Sequence, residues 1–168
     1  MPLIYYPNPL LKMVSEEVQE FNEDLTKLVS EMYDTMSEEV GCGLAAVQIG
    51  VLKRVIVIDL TRSGEGEKFA LVNPKIVNSG DTLQIFDEGC LSVPDVYFPV
   101  ERPETIELEF FNEHGEKFTK TFSGFLGTAI QHEIDHLNGI VFVDHLSKLK
   151  QNFYIKKYKK RHPELNGR

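Results

Sequence analysis

The sequence predicts an α+β fold, with small and mostly antiparallel sheets around a central helix. Short runs that are typical of strands come before a buried helical pattern at residues 124–138, and two of these runs form a hairpin pattern directly before it. A further helical segment is expected at the C-terminus. Strands that precede a single buried helix favour this fold class.

The first element is an amphipathic helix over residues 25–40. Its apolar residues recur at helical spacing, and Asn22 or Asp24 is placed to cap the N-terminus. We expect Gly41 to end this helix.

Strand patterns follow the first helix. Residues 54–60 form a β-branched run bounded by charged residues, and residues 105–112 alternate between apolar and polar side chains. A turn over EHGE then leads to a return run, KFTKTF, at residues 117–122. The last two runs predict a β-hairpin. The helix over 124–138 comes next, with Gly139 in the position that commonly stops a helix.

Composition narrows the class of protein. With 168 residues and 42% apolar content, the chain is expected to form one domain over residues 1–168. No run approaches the roughly 18 apolar residues of a membrane span, and the N-terminus lacks a basic segment followed by an apolar one, so we expect a cytoplasmic protein with no membrane partner. Cys42 and Cys90 are too few for a disulfide framework.

The stretch QHEIDHLNG, at residues 131–139, has the pattern of a metal site on a helix. Four residues advance a helix by about 400°, so His132 and His136 project from nearly the same face. Glu133 is offset by about 100°, which suits a carboxylate that takes a proton from water at the metal. The sequence leaves open whether Asp135 and Asn138 support this site or face solvent.

A catalytic metal site normally has three protein ligands, so a third ligand is needed. A metzincin would have a histidine at position 142, which is Phe142 here, and a thermolysin-like enzyme needs a downstream glutamate, for which the basic tail offers only Glu164. His145 and His114 remain possible ligands. Cys90 is the better candidate, although a buried structural cysteine is its alternative interpretation.

Three separated motifs resemble those of the peptide deformylases. They are GCGLAAVQIG at residues 41–50, EGCLS at 88–92 and QHEIDH at 131–136. The resemblance extends over essentially the whole chain. It implies that Cys90, His132 and His136 bind one divalent metal, most often Fe²⁺, with Zn²⁺, Ni²⁺ or Co²⁺ as alternatives. It also implies that Glu133 is the general acid and base in removing the formyl group from N-formylmethionyl nascent peptides, with release of formate.

The same resemblance assigns roles to four residues outside the metal motif. Gln48 and the backbone N–H of Leu91 would stabilise the oxyanion, and Gly43 would lie beside the backbone of the bound peptide. Cys42 would line the methionine pocket, at a position where the family usually has an aliphatic residue. Tyr97 stands where many relatives carry arginine, which leaves the role of that position open.

Two other functions remain compatible with the metal motif. The chain could be a metalloprotease or another metal-dependent amidohydrolase, which differs in its choice of substrate. It could also be a non-catalytic module with a structural metal, which would close its site with a fourth ligand.

The C-terminus is strongly basic. Residues 148–168 hold eight of the eighteen Lys and Arg residues and one of the twenty-six acidic residues, so the tail carries +7 within a chain of net charge −8. We expect a helix that Leu149, Phe153 and Tyr154 hold against the body, with the lysines beyond it available to phosphates. The resemblance to the deformylases suggests that this helix docks the protein on the ribosome. A solvated helix end is the alternative.

Overall fold

The computed structural model describes residues 1–64 and 66–165. The elements in these residues confirm the α+β class. The helices are α1 (Glu23–Glu38), α2 (Gly124–Leu137) and α3 (Lys148–Arg161). The strands are β1 (Gly43–Ala45), β2 (Val55–Asp59), β3 (Lys68–Ser79), β4 (Leu83–Cys90), β5 (Val93–Pro103), β6 (Thr105–Phe111) and β7 (Lys117–Ser123). Short 3-10 turns complete the fold at Pro9–Lys12, Ala46–Ile49, Thr61–Ser63, Phe142–His145 and Pro163–Leu165.

Two antiparallel sheets frame the molecule. One has the strand order β1-β2-β3-β6-β7, and the other is the β4-β5 hairpin. The predicted hairpin is confirmed as β6 and β7, with Ile106 opposite Phe122. Strand β3 continues past Pro74 because its register with β6 shifts there, and a proline is tolerated at such an irregularity.

Helices α1 and α2 cover opposite faces of the five-stranded sheet. Strand β2 shows why, because it is apolar on both sides. Ile56 and Ile58 pack in one cluster with Ile130 and Ile134 of α2, and Val55 and Val57 pack in a second cluster with α1. Helix α2 therefore lies in the interior, as expected for a helix with a buried site.

The structure corrects the predicted end of α1. Asn22 caps the helix as expected, since its Oδ1 accepts a hydrogen bond from the Leu25 N–H at 3.2 Å. The helix ends at Glu38, however, and Val40 rather than Gly41 takes the left-handed conformation, with φ 58°. Gly41 is needed for space, because a Cβ there would lie 2.6 Å from Cδ1 of Leu91.

Helix α2 ends as the sequence predicts. Gly139 adopts φ 74°, and a Cβ at this position would lie 2.4 Å from the carbonyl oxygen of Lys12. Arg54 also supports this end, donating from Nη1 to the Leu137 carbonyl at 3.1 Å and from Nη2 to Oδ1 of Asn138 at 3.0 Å. Asn138 thus supports the helix end and does not contribute to the metal group.

The predicted anchor of α3 is partly wrong. Leu149 and Phe153 are 81% and 63% exposed, so they do not hold the helix against the body. Tyr158 does so, being buried and donating its hydroxyl to the Tyr6 carbonyl at 2.9 Å. Tyr154 packs on Phe98, with ring centroids 5.3 Å apart. Residues 166–168 of the basic tail lie outside the described residues.

The N-terminal segment connects two of the sequence motifs. The Ile4 N–H donates to the Gln48 carbonyl at 2.7 Å, and the Tyr6 N–H donates to the Ser92 carbonyl at 2.8 Å. Among the described residues, no helix has the length and apolar character needed to cross a membrane.

Candidate active site

Helix α2 presents three polar side chains to the interior. His132, Glu133 and His136 are only 7%, 5% and 0% exposed. The two imidazole rings lie one turn apart, with centroids separated by 5.2 Å. Buried polar groups are costly unless they have partners, so their surroundings indicate their use.

Cys90 reaches the histidines from the end of β4, where the β4-β5 register shifts. Its Sγ lies 3.3 Å from Nε2 of His136, and one ligand atom from each of Cys90, His132 and His136 falls within 4.8 Å of the others. Sulfur and nitrogen ligands of a tetrahedral ion lie about 3.5 Å apart, given the usual metal–ligand bond lengths. The three residues thus form a group that could hold a metal ion. A thiolate with two imidazoles suits Fe²⁺, Zn²⁺, Ni²⁺ and Co²⁺.

The two alternative ligands lie elsewhere. His114 is exposed in the turn between β6 and β7, and Nε2 of His145 lies 2.8 Å from Oδ2 of Asp135. Cys90 is therefore the candidate that joins the histidines in the described part of the chain.

A buried ion pair orients His132. Nδ1 of His132 lies 2.9 Å from Oε1 of Glu88, which leaves Nε2 to face the metal group. Arg102 holds the same carboxylate through Nε and Nη2, at 2.6 and 2.9 Å. Burial alone would raise the pKa of Glu88, but the hydrogen bonds from Arg102 and His132 outweigh it and lower the pKa to about 2. Glu88 is thus a permanent carboxylate.

Arg102 extends this network to the next turn of α2. Its Nη1 donates to Oδ2 of Asp135 at 2.9 Å, so Asp135 belongs to the same hydrogen-bond network as Glu88 and His132. Sequence reasoning missed Glu88 and Arg102. Glu88 lies inside the motif EGCLS and could have been noticed, because a metal-bound histidine usually donates its other ring nitrogen to a carboxylate or carbonyl. Arg102 has no local signal.

Glu133 has the environment of a proton carrier. Its Oε1 lies 3.9 Å from Nε2 of His132, and its buried Oε2 has no hydrogen-bond partner among the described residues. Burial raises the pKa of Glu133 to about 7. A nearby divalent cation would act in the opposite direction and favour the carboxylate. Gly43 is close, because a Cβ there would lie 3.0 Å from Oε1.

His136 is suited to bind a metal as a neutral ring. Burial, followed by the charge of His132, lowers the pKa of His136 to about 3. For His132, burial is outweighed by hydrogen bonds with Cys90 and Glu88, which raise its pKa. A metal ion at the site would displace that proton, since a ligating imidazole is neutral.

Gln48 has a fixed orientation beside Cys90. Its Oε1 accepts from the Ala45 N–H at 2.9 Å, so Nε2 points the other way, toward Oγ of Ser92 at 3.1 Å and Sγ of Cys90 at 3.6 Å. Ser92, another residue that sequence reasoning missed, is fully buried and lies two positions after Cys90. Leu91, between them, is half-buried.

A cleft of about 660 Å³ opens onto this group. The predicted residues that line it are Cys42, Gly43, Cys90, Leu91, His132 and Glu133. Gln48 and His136, at 1% and 0% exposure, lie behind this surface. Burial raises the pKa of the Cys42 thiol, which therefore stays protonated at neutral pH.

Comparison with known proteins agrees with this geometry. The family model described as polypeptide deformylase matches residues 1–152. The chain is 48% identical to a peptide deformylase of Brucella suis over 160 residues, which is 95% of this chain and 91% of that protein. The chain belongs to the polypeptide deformylase family.

Solved structures of the deformylase family share the fold. A peptide deformylase from Legionella pneumophila superimposes with a TM-score of 0.90 at 40% identity, over 99% of this chain and 98% of that one. A peptide deformylase from Ehrlichia chaffeensis in complex with actinonin gives a TM-score of 0.90 at 38% identity, over 96% of each chain. Members of the family are metal-dependent hydrolases that act on formylmethionyl nascent peptides. This membership sets aside the metalloprotease and the non-catalytic metal module.

Proposed function

We propose that Cys90, His132 and His136 bind one divalent ion, Fe²⁺ in the native protein, and that Glu133 transfers protons while the formyl group is removed from N-formylmethionyl peptides. One observation carries this proposal. The three ligand atoms lie within 4.8 Å of one another, and the unpartnered Oε2 of Glu133 is buried beside them.

Glu133 acts as base and then as acid. A divalent ion held by these three ligands would supply a Lewis acid, which would make the attacking water more acidic. Glu133 accepts a proton from the attacking water and later delivers it to the departing nitrogen, which becomes the free amine of methionine. The buried Oε2 of Glu133 supports this role, because it has no hydrogen-bond partner among the described residues and is available to accept and return a proton.

Gln48 and Leu91 stabilise the negative charge that develops on the formyl oxygen. The Ala45 N–H fixes the Gln48 amide, so Nε2 is presented beside Cys90 as a donor without reorientation. The backbone N–H of Leu91 follows Cys90 directly and is the second donor. One such donor is typically worth about 2.7 to 4 kcal/mol of transition-state stabilisation.

Gly43 and Cys42 contact the substrate. Gly43 is the first residue of the edge strand β1, and without a side chain it lets an extended peptide approach the backbone. Cys42 lines the cleft beside it and packs as a small apolar group against the methionine side chain.

Residues 1–168 act as one catalytic domain in the cytoplasm. Within this domain, the basic helix α3 docks the protein on the ribosome. Lys156, Lys157 and Lys160 are exposed on this helix, while Tyr158 anchors it to the body. Exposed lysines on an anchored helix support binding to phosphates of ribosomal RNA.

Glu133→Gln tests the proposed chemistry, with Cys90→Ala as its comparison. The protein is purified without oxygen, and bound metal and formate release are measured together. Glu133→Gln should keep stoichiometric metal and lose about 10²- to 10⁴-fold in turnover, because an amide cannot accept the proton. Cys90→Ala should lose both metal and turnover. Normal metal content in Cys90→Ala, or more than about a tenth of the activity in Glu133→Gln, contradicts the assignment.

A further inference from the structure

The two histidines of the metal group are oriented in different ways. Nδ1 of His132 lies 2.9 Å from Oε1 of Glu88, whereas Nδ1 of His136 is buried and has no hydrogen-bond partner among the described residues. In metal sites the second ring nitrogen usually donates to a carboxylate or a carbonyl, and this contact fixes the ring. The ring of His136 therefore depends for its position on packing and on the backbone that carries it.

That backbone lies in the last turn of α2, where carbonyl groups lack partners within the helix. The Leu137 carbonyl accepts from the Ser15 N–H at 2.8 Å and from Nη1 of Arg54 at 3.1 Å. Nη2 of Arg54 also donates to Oδ1 of Asn138 at 3.0 Å. One guanidinium thus holds the two residues that directly follow His136.

We infer that Arg54 is a positioning residue, which fixes the end of α2 so that His136 is placed for metal binding. This inference rests on the proposed function, because it concerns the proposed metal group. It adds a residue that lies outside the three sequence motifs and does not line the cleft.

The backbone of Arg54 is itself held on both sides. Its N–H donates to the Glu16 carbonyl at 2.9 Å, and its carbonyl accepts from the Asn73 N–H at 2.8 Å. Arg54 directly precedes β2, an inner strand of the five-stranded sheet. The guanidinium is therefore projected from a fixed base, and its planar fork presents two donors in a set geometry.

The charge of Arg54 also suits the end of a helix. The carbonyl end of a helix carries a partial negative charge, which favours a cation there. A helix cap alone would stabilise the fold without changing how the folded protein binds a metal. Metal affinity of the folded protein therefore separates a positioning role from a purely structural one.

Co²⁺ binding to the metal-free full chain tests the role of Arg54. The dissociation constant is measured without oxygen by competition with a chelator, at a temperature well below the thermal unfolding midpoint of each variant. Arg54→Met should weaken Co²⁺ binding by about 10- to 100-fold, as is usual when a residue that supports a ligand is lost. The visible absorption bands of the bound Co²⁺ should also shift, because they depend on the arrangement of the ligands.

Two further variants divide the effect. Arg54→Lys should weaken Co²⁺ binding by about three- to tenfold, because an ammonium group keeps the charge but cannot reproduce the planar fork. Asn138→Ala removes only the contact with Nη2 and should weaken binding by about two- to fivefold. Adding Asn138→Ala to Arg54→Met should change the affinity by less than about twofold, since that hydrogen bond is already absent.

Arg62→Met is the matched control. Nη2 of Arg62 donates to the carbonyl of Ser37 at 3.0 Å and to its Oγ at 2.9 Å, at the end of α1. The control therefore removes similar contacts from a helix that carries none of the proposed ligands. It should leave Co²⁺ affinity and the absorption bands unchanged.

The outcomes are distinct. A Co²⁺ dissociation constant of Arg54→Met within about twofold of the parent value, or equal weakening in Arg62→Met, overturns the role. If Arg54→Met does not remain folded, Arg54→Lys and Asn138→Ala decide, and unchanged affinity in both overturns it. Absence of stoichiometric Co²⁺ binding in the parent protein contradicts the proposed metal group instead.

Discussion

Arg102 and Glu88 form a two-point ion pair in the interior, with Nε 2.6 Å from Oε2 and Nη2 2.9 Å from Oε1. Both side chains are almost completely buried, at 6% and 5% exposure. The same carboxylate holds His132, so the pair connects the β4-β5 hairpin to the metal group.

Arg102→Met should destabilise the metal-free protein by about 3 to 5 kcal/mol, because the buried Glu88 carboxylate loses its two-point partner and keeps only its contact with His132. The measurement is urea unfolding of protein stripped of metal. Lys117→Met is the control, since it breaks an exposed pair with Glu109 at 3.0 Å and should cost less than about 1 kcal/mol. Equal losses of unfolding free energy in the two variants would show that the buried pair contributes no more to stability than the exposed pair.

Gly43→Ala should impair turnover more than stability. The added Cβ would lie 3.0 Å from Oε1 of Glu133, so the carboxylate must move, and a displacement of a catalytic group can cost about 100-fold in rate. Formate release and thermal unfolding are compared with those of Gly80→Ala, whose Cβ makes only an ordinary 3.5 Å contact with Thr105. Full activity of Gly43→Ala would contradict the close approach.

Val40→Asn and Val40→Gly should each stabilise the protein, by about 0.5 to 1 kcal/mol, because a β-branched residue is strained in the left-handed region. Val40 has φ 58° and is 74% exposed, so few contacts are lost. Denaturant unfolding is the measurement. Val14→Gly is the control, because Val14 is also exposed but does not have a positive φ. This variant should not stabilise the protein. A loss of stability in both Val40 variants would mean that the side chain has a packing role.

Replacing Lys156, Lys157 and Lys160 by Gln should weaken ribosome binding by about tenfold or more at low salt and flatten its salt dependence. Substitution is preferable to truncation, because removal of α3 would also remove the buried Tyr158 and the turn that lines the cleft. Co-sedimentation with ribosomes measures the effect. A control with Lys27, Lys53 and Lys75 changed to Gln removes the same charge elsewhere, and equal weakening there would show a general charge effect.

Local signals account for what the sequence predicted well. The Asn22 cap, the β6-β7 hairpin and the Gly139 helix stop each depend on residues close in the chain. The histidine pair was visible because helical spacing alone brings His132 and His136 together.

Contacts between distant segments account for what the sequence did not predict. Arg102 acquires its role from Glu88 and Asp135, which a local pattern cannot reveal. In α3 the choice between Phe153 and Tyr158 as the buried residue depends on where Tyr6 lies, and Tyr6 is 152 positions from Tyr158. Tertiary packing decides which side of a helix with weak amphipathic character is buried.

The hydrogen bonds from Ile4 to Gln48 and from Tyr6 to Ser92 have a consequence for how the protein folds. They join the first residues of the chain to two motif segments, while the histidines arrive on a helix that ends at Leu137. The Tyr6 carbonyl also accepts the hydroxyl of Tyr158, so during synthesis the N-terminal segment must wait until nearly all of the chain has emerged before its partners are all in place. Contacts of such long sequence separation slow folding, because loop closure precedes the stabilising contacts. Full cleft geometry should consequently be among the last features to form on refolding.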